Sequence, residues 1–400
     1  MRILVITQYF YPENLRINDL CKSLTDRGHD ITVLTGKPNY PHGSFFNGYS
    51  LFKRSNEKID NINVYRANLI PRGSGNGFML FLNYMSFLFF GFFKLFSIKG
   101  KYDRIFIYAP SPITVGYLGV IAAKLFNAKP FLWVHDLWPE SVKVAGGIKN
   151  KFLLMLIDLM TRSIYSFYET ILVQSPSFKD YLINQSVPDY KIIYYPYYAE
   201  SFYKKVKKNE DIKKLFPVGT NILFAGNIGV SQSFDTIIDA SIIARKTNKK
   251  FNIIILGDGR DKKRIQLKIK ENNLENVFYF LGSYPPEKMP YFFACADALL
   301  VSLKKSKIFS LTIPGKLQSY LACSKPIIGS LDGIGAKIIN NASCGFVSPA
   351  ENSELLAESI NNICSLNENQ KNQLGLNAKQ YFDKEFEKEE LLDKLIKILD

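Results

Sequence analysis

Residues 133–141, Trp-Val-His-Asp-Leu-Trp-Pro-Glu-Ser, follow an apolar run that is typical of a buried β-strand. The segment holds both tryptophans of the chain and one of its three histidines. It predicts that His135 and Asp136 end the strand, at the edge where ligands bind in open α/β sheets. A histidine there either contacts a ligand or is an ordinary buried imidazole. Trp138 and Glu140 place apolar surface beside polar groups, as in small-molecule pockets, so we favour a ligand site.

Short apolar runs alternate with helical patterns on both sides of this segment, which predicts βαβ units around parallel sheets and an α/β fold class. The strands predicted in the first half cover residues 2–7, 31–35, 62–67, 104–108, 131–135, 170–174 and 192–195. Those predicted in the second half cover residues 221–225, 252–257, 277–281, 298–302, 326–328 and 345–347.

A domain boundary is indicated where the chain changes character. Residues 194–208 are broken by Pro196 and then become strongly basic, as a linker would be. A chain of 400 residues is also longer than one hydrophobic core usually serves. We predict Rossmann-like domains at 1–199 and 200–385, with their sheets facing across a cleft. A final amphipathic helix at 386–400 is expected to pack on either half.

The charge balance narrows the class of partner. The formal charge is +15, from 51 Lys and Arg against 36 Asp and Glu, which indicates nucleic acid, an acidic membrane or a phosphorylated substrate. The basic clusters at 204–208, 260–264 and 304–307 lack the interleaved aromatics of a nucleic-acid groove. No helix-turn-helix, zinc or RRM signature occurs either, so nucleic acid is not an expected partner.

The cysteines and the first residues favour a cytoplasmic protein. The five cysteines are widely spaced and form no CxxC pair, so we expect reduced thiols. Residues 1–7 turn polar too soon for a secretory signal and predict a first strand. With 31 Phe and 23 Tyr, the chain has more aromatic residues than a soluble interior usually needs, and we expect some to face lipid or another protein.

Residues 78–98 form an apolar segment close in length to a transmembrane helix. At 100° per residue its polar members share one narrow stripe, which predicts an amphipathic helix with a broad apolar face. The polar members are Asn83, Ser86, Lys94 and Ser97. Three interpretations stay open, namely a helix in the membrane interface, a core helix and a membrane span. We favour the first, with the protein peripheral on the inner face of the cytoplasmic membrane. The residues expected near head groups are Arg72, Lys99, Lys101 and Arg104.

The loop after the first strand holds polar residues where a ligand would bind. It runs Gln-Tyr-Phe-Tyr-Pro-Glu-Asn-Leu-Arg-Ile-Asn over residues 8–18, and the candidate ligands of a polar substrate are Tyr11, Glu13, Asn14 and Arg16. Glu13 and Asn14 could instead cap the following helix, which would leave Arg16 unexplained. The loop has no GxGxxG, so a standard NAD or FAD site is not expected there.

Three segments of the second half carry features of a phosphate site. The glycine-bearing segment 226–229 follows the first strand and opens a helix, where backbone amides approach an anion closely. Leu-Gly-Asp-Gly-Arg at 256–260 is a second glycine-bearing strand end. Lys316 lies in the first turn of a helix after Pro314, where the helix dipole is already positive, and a bound anion would resolve that conflict.

Together these segments resemble the GT-B glycosyltransferases of the large retaining family often called family 4, over nearly the whole chain. Within that family the similarity is closest to N-acetylfucosamine-type amino-sugar transferases of bacterial O-antigen and capsule assembly. The segments that carry the resemblance are 3–18, 28–35, 134–141, 224–232, 256–259 and 314–328. The most selective are His-Asp-Leu-Trp-Pro-Glu at 135–140 and Lys-Leu-Gln-Ser-Tyr-Leu-Ala at 316–322.

The resemblance implies that a UDP-sugar donor binds mainly to the second half and the acceptor to the first. It implies catalytic roles for His135, beside the donor sugar, and for Lys316, beside the pyrophosphate. The donor-binding residues it implies are Asn227, Gly229, Gln232, Asp258, Gly259, Arg260, Ile313, Gln318 and Ser319. The acceptor-binding residues are Tyr11, Glu13, Asn14, Arg16, Asp136, Trp138 and Glu140.

Two features depart from the family pattern. The family usually places an Arg and a Lys after the first strand of the second half, where this chain has Asn227 and Gln232. The second of its usual two glutamates is replaced by Ser319. Amide and hydroxyl groups bind ribose and sugar more weakly than a carboxylate does. Cationic support for phosphate would fall to Lys316, or to Arg260 or Lys262.

These features predict a glycosyltransferase that moves an amino sugar from a UDP donor to a polyprenyl-diphosphate-linked saccharide at an anionic membrane surface. No clustered carboxylates or ligand histidines are visible in the sequence, so neither a metal nor another cofactor is expected. A nucleotide-sugar epimerase or hydrolase of the same fold and a non-enzymatic basic protein are the alternatives.

Overall fold

The computed structural model describes residues 1–145, 148, 150–247 and 249–400, and the chain divides into two compact units. The first unit holds Met1–Tyr195 and Leu392–Asp400, and the second holds Pro196–Leu391. The division falls four residues before the predicted boundary at 199/200. Tyr195, the last residue before the division, is buried. There its carbonyl accepts a hydrogen bond from the Trp133 indole at 3.1 Å.

The first unit is built around an eight-stranded sheet. Its strands are β1 Arg2–Ile6, β2 Asp30–Gly36, β3 Asn56–Ile59, β4 Ile62–Ala67, β5 Arg104–Ala109, β6 Lys129–Val134, β7 Thr170–Val173 and β8 Ile192–Tyr194. Its helices are α1 Arg16–Asp26, α2 Gly77–Leu95, α3 Val115–Phe126, α4 Glu140–Ala145, α5 Lys151–Ser166 and α6 Pro176–Asn184, with a 3-10 turn at Asp189–Lys191.

The strand order of this sheet, β3-β4-β2-β1-β5-β6-β7-β8, locates the edge at which a ligand is expected. The chain leaves β1 towards β2 and later returns to β5 on the other side of β1, which makes β1 and β5 a topological switch point. The strands predicted for this half are confirmed. β3 was missed because it is a short, largely polar edge strand, the one strand of this sheet that pairs antiparallel among the described residues.

The chain from residue 196 onward forms a second, six-stranded sheet and the remaining helices. The strands are β9 Thr220–Ala225, β10 Phe251–Leu256, β11 Phe278–Gly282, β12 Ala298–Ser302, β13 Ile327–Ser330 and β14 Gly345–Ser348. The helices are α7 Glu210–Lys213, α8 Phe234–Arg245, α9 Lys262–Glu271, α10 Met289–Cys295, α11 Lys307–Leu311, α12 Gly315–Ala322, α13 Ile334–Asn341, α14 Ser353–Ser365, α15 Glu368–Glu385 and α16 Lys388–Leu399. Two 3-10 turns lie at Val230–Gln232 and Pro286–Lys288.

The second sheet has the order β11-β10-β9-β12-β13-β14 and is parallel throughout its described pairs. Its four central strands, β9, β10, β12 and β13, are buried on both faces, so they appear in the sequence as continuous apolar runs. The strands predicted for this half are confirmed. The switch point lies between β9 and β12, where the loops that begin at Gly226 and Leu303 start.

The final helix, α16, ends in the first unit. Arg27 pairs with Asp393, and the Lys394 ammonium donates to the Tyr194 carbonyl at 2.8 Å. The Arg104 guanidinium donates to the carbonyl of Leu399 and, at 2.5 Å, to that of Asp400. Arg104 therefore holds the end of α16 on the first unit, and its predicted place near lipid head groups stays a prediction.

Helix α2 turns the polar part of its surface inward. The Asn83 side chain is fully buried, accepts from the Gln8 amide at 2.6 Å and donates to the Ile70 carbonyl at 2.6 Å. The Ser86 hydroxyl accepts the Ile70 N–H at 2.8 Å. Buried amides and hydroxyls need hydrogen-bond partners, and the loops that carry Gln8 and Ile70 supply them. These hydrogen bonds therefore attach α2 to the first unit.

The apolar side of α2 points away from the core of the unit. Five phenylalanines that share an arc of about 120° at the helical repeat are each more than half exposed; they are Phe78, Phe81, Phe89, Phe93 and Phe96. Helix α5 exposes five further apolar residues, Phe152, Leu153, Met155, Leu156 and Leu159. We call these ten side chains the apolar surface. Within the described part of the chain, α2 is the one helix long and apolar enough to cross a membrane, and 22% of its most apolar stretch is buried.

Candidate functional site

His135 follows β6 directly and lies at the carboxyl edge of the first sheet. Its backbone N–H donates to the Ala109 carbonyl at 3.1 Å, which continues the β5–β6 pairing by one residue. Its ring lies 4.4 Å from the ring of Tyr108 and 4.3 Å from that of Trp133, centroid to centroid. Burial and the nearby positive charge of Arg16 hold the pKa of His135 well below its usual value. The imidazole is therefore neutral at pH 7 and suited to hydrogen bonding rather than to acid catalysis.

The loop after β1 places Arg16 near His135 and buries the Glu13 carboxylate. The Glu13 carboxylate accepts the backbone N–H groups of Phe10 at 3.2 Å, Asn39 at 2.8 Å and Tyr40 at 2.7 Å. It is buried, and burial raises its pKa to about 7 although these three hydrogen bonds oppose the rise. Glu13 joins two strand-end loops, and the acceptor-binding role predicted for it stays a prediction.

The other predicted residues of this loop lie closer to solvent. Asn14 is exposed, and Tyr11 is exposed in part. Helix α1 begins at Arg16 after Leu15, with no side-chain cap, so neither Glu13 nor Asn14 caps it. Arg16, in the first turn of α1, is the member of this loop whose charge reaches His135.

Asp136 and Trp138 lie at the same edge. Desolvation raises the pKa of Asp136 to about 7, against the opposing effect of a hydrogen bond with Ser111. The Trp138 indole donates to the Ser111 hydroxyl at 3.2 Å, and its ring lies 6.2 Å from the ring of Tyr84. Glu140 begins α4 and pairs with Lys143 at 3.0 Å, so this carboxylate already has a cationic partner.

An apolar pocket of about 270 Å³ opens beside Asp136 and Trp138. Its walls are side chains of α2, α4 and α5, and the ends of β5 and β6 close it. The lining residues include Phe81, Tyr84, Met85, Thr114, Ser141, Ile157 and Met160. Sequence reasoning missed Ser111 and Thr114, although both follow a predicted strand at 104–108 and so lie where ligands bind.

The second unit brings its two glycine-bearing loops together by backbone contact. The N–H of Gly226 donates to the Leu256 carbonyl at 2.9 Å, and that of Ile228 donates to the Asp258 carbonyl at 2.8 Å. A Cβ on Gly257 would lie 1.9 Å from the Gly226 carbonyl oxygen, and one on Gly259 would lie 2.1 Å from that of Ile228. Only glycine permits this approach, which leaves a backbone-lined surface at the switch point.

Lys316 lies beside these loops with its ammonium largely out of water. Its Nζ donates to the Gln232 side-chain carbonyl at 2.7 Å and lies 3.8 Å from the centre of the Phe224 ring. A Cβ on Gly226 would be 3.3 Å from the same nitrogen. Desolvation lowers the pKa of Lys316 to about 7, because an amide and a ring do not neutralise a buried charge.

The remaining predicted donor residues divide by exposure. Asn227, Asp258 and Arg260 are exposed, and Asp258 accepts the Gly259 N–H at 2.8 Å and lies 3.5 Å from the ammonium of Lys262. Three others are almost fully buried, with at most 5% exposure; they are Ile313, Gln318 and Ser319. Their side chains are buried within the unit, and the donor contacts predicted for them stay predictions.

Tyr320 is a supporting residue that sequence reasoning missed. It is buried on α12, and its hydroxyl accepts the Ala225 N–H at 3.0 Å, at the end of β9. The hydroxyl therefore fixes the strand end from which the glycine loop starts. Its only signal in the sequence is its place four residues after Lys316, on the same side of the helix.

Metal ligands are not clustered in the part of the chain that the structure describes. There, no three His, Cys, Asp or Glu side chains come close enough to hold an ion together. The groups at the two carboxyl edges include backbone amides, Lys316, the neutral His135 and the desolvated Asp136. This set suits an anion in the second unit and a polar, partly apolar molecule in the first.

Two family models match the chain, one over each unit. Residues 14–197 match the glycosyl transferase 4-like domain, and residues 206–381 match glycosyl transferases group 1. The chain is therefore a glycosyltransferase, an enzyme that transfers sugars. More particularly, it is a glycosyltransferase with a 4-like domain followed by a group 1 domain.

Similar proteins and structures agree with this assignment. The putative colanic acid biosynthesis glycosyl transferase WcaI of Escherichia coli strain K12 is 25% identical over 337 residues, which are 80% of this chain and 81% of that protein. Sucrose-phosphate synthase from Thermosynechococcus elongatus gives a TM-score of 0.72 at 17% identity, covering 99% of this chain and 98% of the other. Anabaena HepE in complex with UDP-glucose gives 0.71 at 16% identity, covering 100% and 99%. These likenesses confirm the predicted GT-B fold.

Proposed function

We propose that this glycosyltransferase moves an N-acetylated amino sugar, such as N-acetylfucosamine, from a UDP-sugar to a polyprenyl-diphosphate-linked saccharide in capsule or O-antigen assembly, with retention of configuration. The donor binds to the second unit and the acceptor to the first. The similarity to WcaI, which is named for colanic acid biosynthesis, supports a role in bacterial polysaccharide assembly. The similarity to HepE, which was solved with UDP-glucose, supports a UDP-sugar as donor.

Lys316 is the observation that carries the proposal. Its ammonium is desolvated beside a backbone-lined glycine loop, and its contacts with Gln232 and Phe224 leave the charge uncompensated. A pyrophosphate on this loop would compensate it. When the sugar–phosphate bond breaks, the charge that develops on UDP would meet the lysine and the loop amides, which is how a preorganised site lowers a barrier.

The first unit supplies groups of the kind a saccharide needs. A neutral His135 can hydrogen-bond a sugar hydroxyl without changing charge. Asp136 and Trp138 offer a carboxyl group and a ring at the same edge, a common pairing in carbohydrate sites because one face of a sugar is apolar. His135 and Lys316 act in this scheme by positioning and charge, and no step requires a metal.

The apolar surface supports a place on the cytoplasmic face of an anionic membrane. Soluble monomers rarely expose so many large apolar side chains together. Residues 61–130, which include α2, hold a single Asp and four exposed lysines; these are Lys99, Lys101, Lys124 and Lys129. An apolar face with a basic surround is the combination that docks a helix at the interface of an anionic bilayer.

The donor is tested by thermal shifts with UDP-, GDP- and dTDP-sugars. We expect the UDP-sugars alone to raise the melting temperature, since a ligand stabilises the fold it binds. We also expect release of UDP when membranes from a polysaccharide-producing bacterium are added. A protein that is stabilised by no UDP-sugar and releases no UDP would refute the proposal.

Membrane docking is tested by flotation with vesicles that contain phosphatidylglycerol. We expect the Phe89→Ser/Phe93→Ser variant to bind about 100-fold more weakly, because each buried Phe contributes about 1.5–3 kcal/mol. The matched control is Leu267→Ser/Leu376→Ser, which removes two exposed apolar residues from the second unit. Equal losses in the two variants would exclude α2 as the docking element.

A further inference from the structure

The apolar pocket between α2, α4 and α5 is the strongest feature that the proposed function leaves unused. We propose that it binds the first isoprene units of a polyprenyl diphosphate, so that the lipid chain of the acceptor enters the first unit and does not remain wholly in the bilayer. This inference rests on the proposed function and adds a binding site to it.

The lining of the pocket matches a branched apolar chain. Its walls include the rings of Phe81 and Tyr84 and the flexible side chains of Met85 and Met160. Aromatic rings and methionines adapt to irregular apolar ligands. A volume of about 270 Å³ lies at the lower end of the range for ligand pockets, which suits part of a chain and not a whole lipid.

The lining also carries polar groups, as an amphiphilic occupant requires. Thr114 is buried, and its hydroxyl makes no hydrogen bond within the described residues; the same holds for the Ser141 hydroxyl. Asp136 and Trp138 line the pocket too. A buried hydroxyl without a partner is uncommon, and a ligand head group that reaches it would remove the cost of leaving it unpaired.

The other walls connect the pocket to the apolar surface. Phe81 and Leu153 both line the pocket and belong to that surface. An isoprenoid in a membrane that covers α2 and α5 could therefore enter without crossing water. Arg72 supplies a cation near the pocket for a diphosphate. Its guanidinium lies 4.9 Å from the centre of the Tyr40 ring, and its charge acts on Tyr84, which lines the pocket.

Farnesyl diphosphate is a water-soluble probe of this site, and Trp138 reports on it because its indole lines the pocket. We expect farnesyl diphosphate to change tryptophan emission saturably, whereas inorganic pyrophosphate should not. Ile157→Phe, which fills the pocket, should weaken binding about tenfold or more, because the larger side chain occupies space that the ligand needs. Ile183→Phe makes the same change at an exposed position of α6 and should leave binding unaltered.

Ile157→Ala, which enlarges the pocket, serves as a second variant and should retain binding. The inference is overturned if pyrophosphate alone gives the same signal, if dodecyl phosphate binds as tightly as farnesyl diphosphate, or if Ile157→Phe and Ile183→Phe bind alike. The thermal shift with UDP-N-acetylglucosamine separates the two proposals. A protein that responds to this UDP-sugar but not to farnesyl diphosphate lacks the lipid site and keeps the proposed function.

Discussion

The two units share a design, a largely parallel sheet with a switch point at its first strand, but the carboxyl edges of the two sheets carry different groups. In the second unit the edge consists of glycine backbone from 226–229 and 257–259 with one desolvated lysine. In the first unit it consists of His135, Asp136 and Trp138, beside an apolar pocket. The topology decides where a ligand binds, whereas the side chains decide which chemical class binds there.

The difference also shows how each edge is kept in place. The glycine loops are joined by backbone hydrogen bonds, which hold one loop against the other. The loops of the first unit are joined by a buried side chain, Glu13, and by the amide of Asn83 on α2. Changes at the two edges should therefore have different effects.

Removing the charge of Lys316 should have the largest effect. We expect Lys316→Met to lower kcat by about 10²–10³-fold, as loss of one preorganised group does elsewhere. Lys263→Met, which removes an exposed lysine of α9, is the control and should keep its activity. The rate of UDP release is measured for both variants. Comparable rates would show that the charge of Lys316 does not contribute to catalysis.

Substitution of a glycine at the contact between the loops 226–229 and 257–259 should have the next largest effect. Gly257→Ala would place a Cβ 1.9 Å from the Gly226 carbonyl oxygen, whereas Gly282→Ala has a positive φ as well but no atom within 4 Å. We expect the second variant to lose about 1 kcal/mol of unfolding free energy from backbone strain alone, and the first to lose about 3 kcal/mol or more. Urea unfolding measures both. Similar losses would mean that close approach is not what requires glycine at 257.

Asp136 should make the stability of the first unit depend on pH. Its pKa of about 7 in the fold lies above the ordinary value of 3.8, so the folded state holds the proton more tightly and stability falls as pH rises from about 4 to 7. Asp136→Asn should reduce this fall, to which the buried Glu13 also contributes, and stabilise the protein above pH 7 by about 1–2 kcal/mol. Melting temperatures from pH 4 to 8 test this. A difference between variant and wild type that does not change with pH contradicts it.

Proton uptake by Lys316 should be the smallest effect and the most specific. With a pKa of about 7 the lysine is mostly neutral at pH 8, and a bound diphosphate would raise that pKa. Binding of UDP-N-acetylglucosamine should take up nearly one proton at pH 8 and little at pH 6. Calorimetry in buffers of different ionisation enthalpy measures the proton uptake. We expect Lys316→Met to abolish it. Proton uptake that persists in the variant would show that another group takes up the proton.

Much of this protein could be predicted from local patterns. Continuous apolar runs identified the buried strands, because parallel strands are covered on both faces. The segments at 133–141 and 226–232 followed strands and so pointed to the carboxyl edges. β3 could not be found this way, since a short polar edge strand has no apolar run, and the pocket could not, since distant helices form its walls.

The sequence by itself determined the alternation of strands and helices, the glycine loops and the choice of His135 and Lys316 as candidates, because each depends on neighbours along the chain. Only the tertiary structure decided that the amide of Asn83 faces inward and the phenylalanines of α2 outward. It also decided that Glu13 joins two loops and that Lys316 is desolvated. These properties arise from groups far apart in the chain, since burial and electrostatics depend on what the fold brings together.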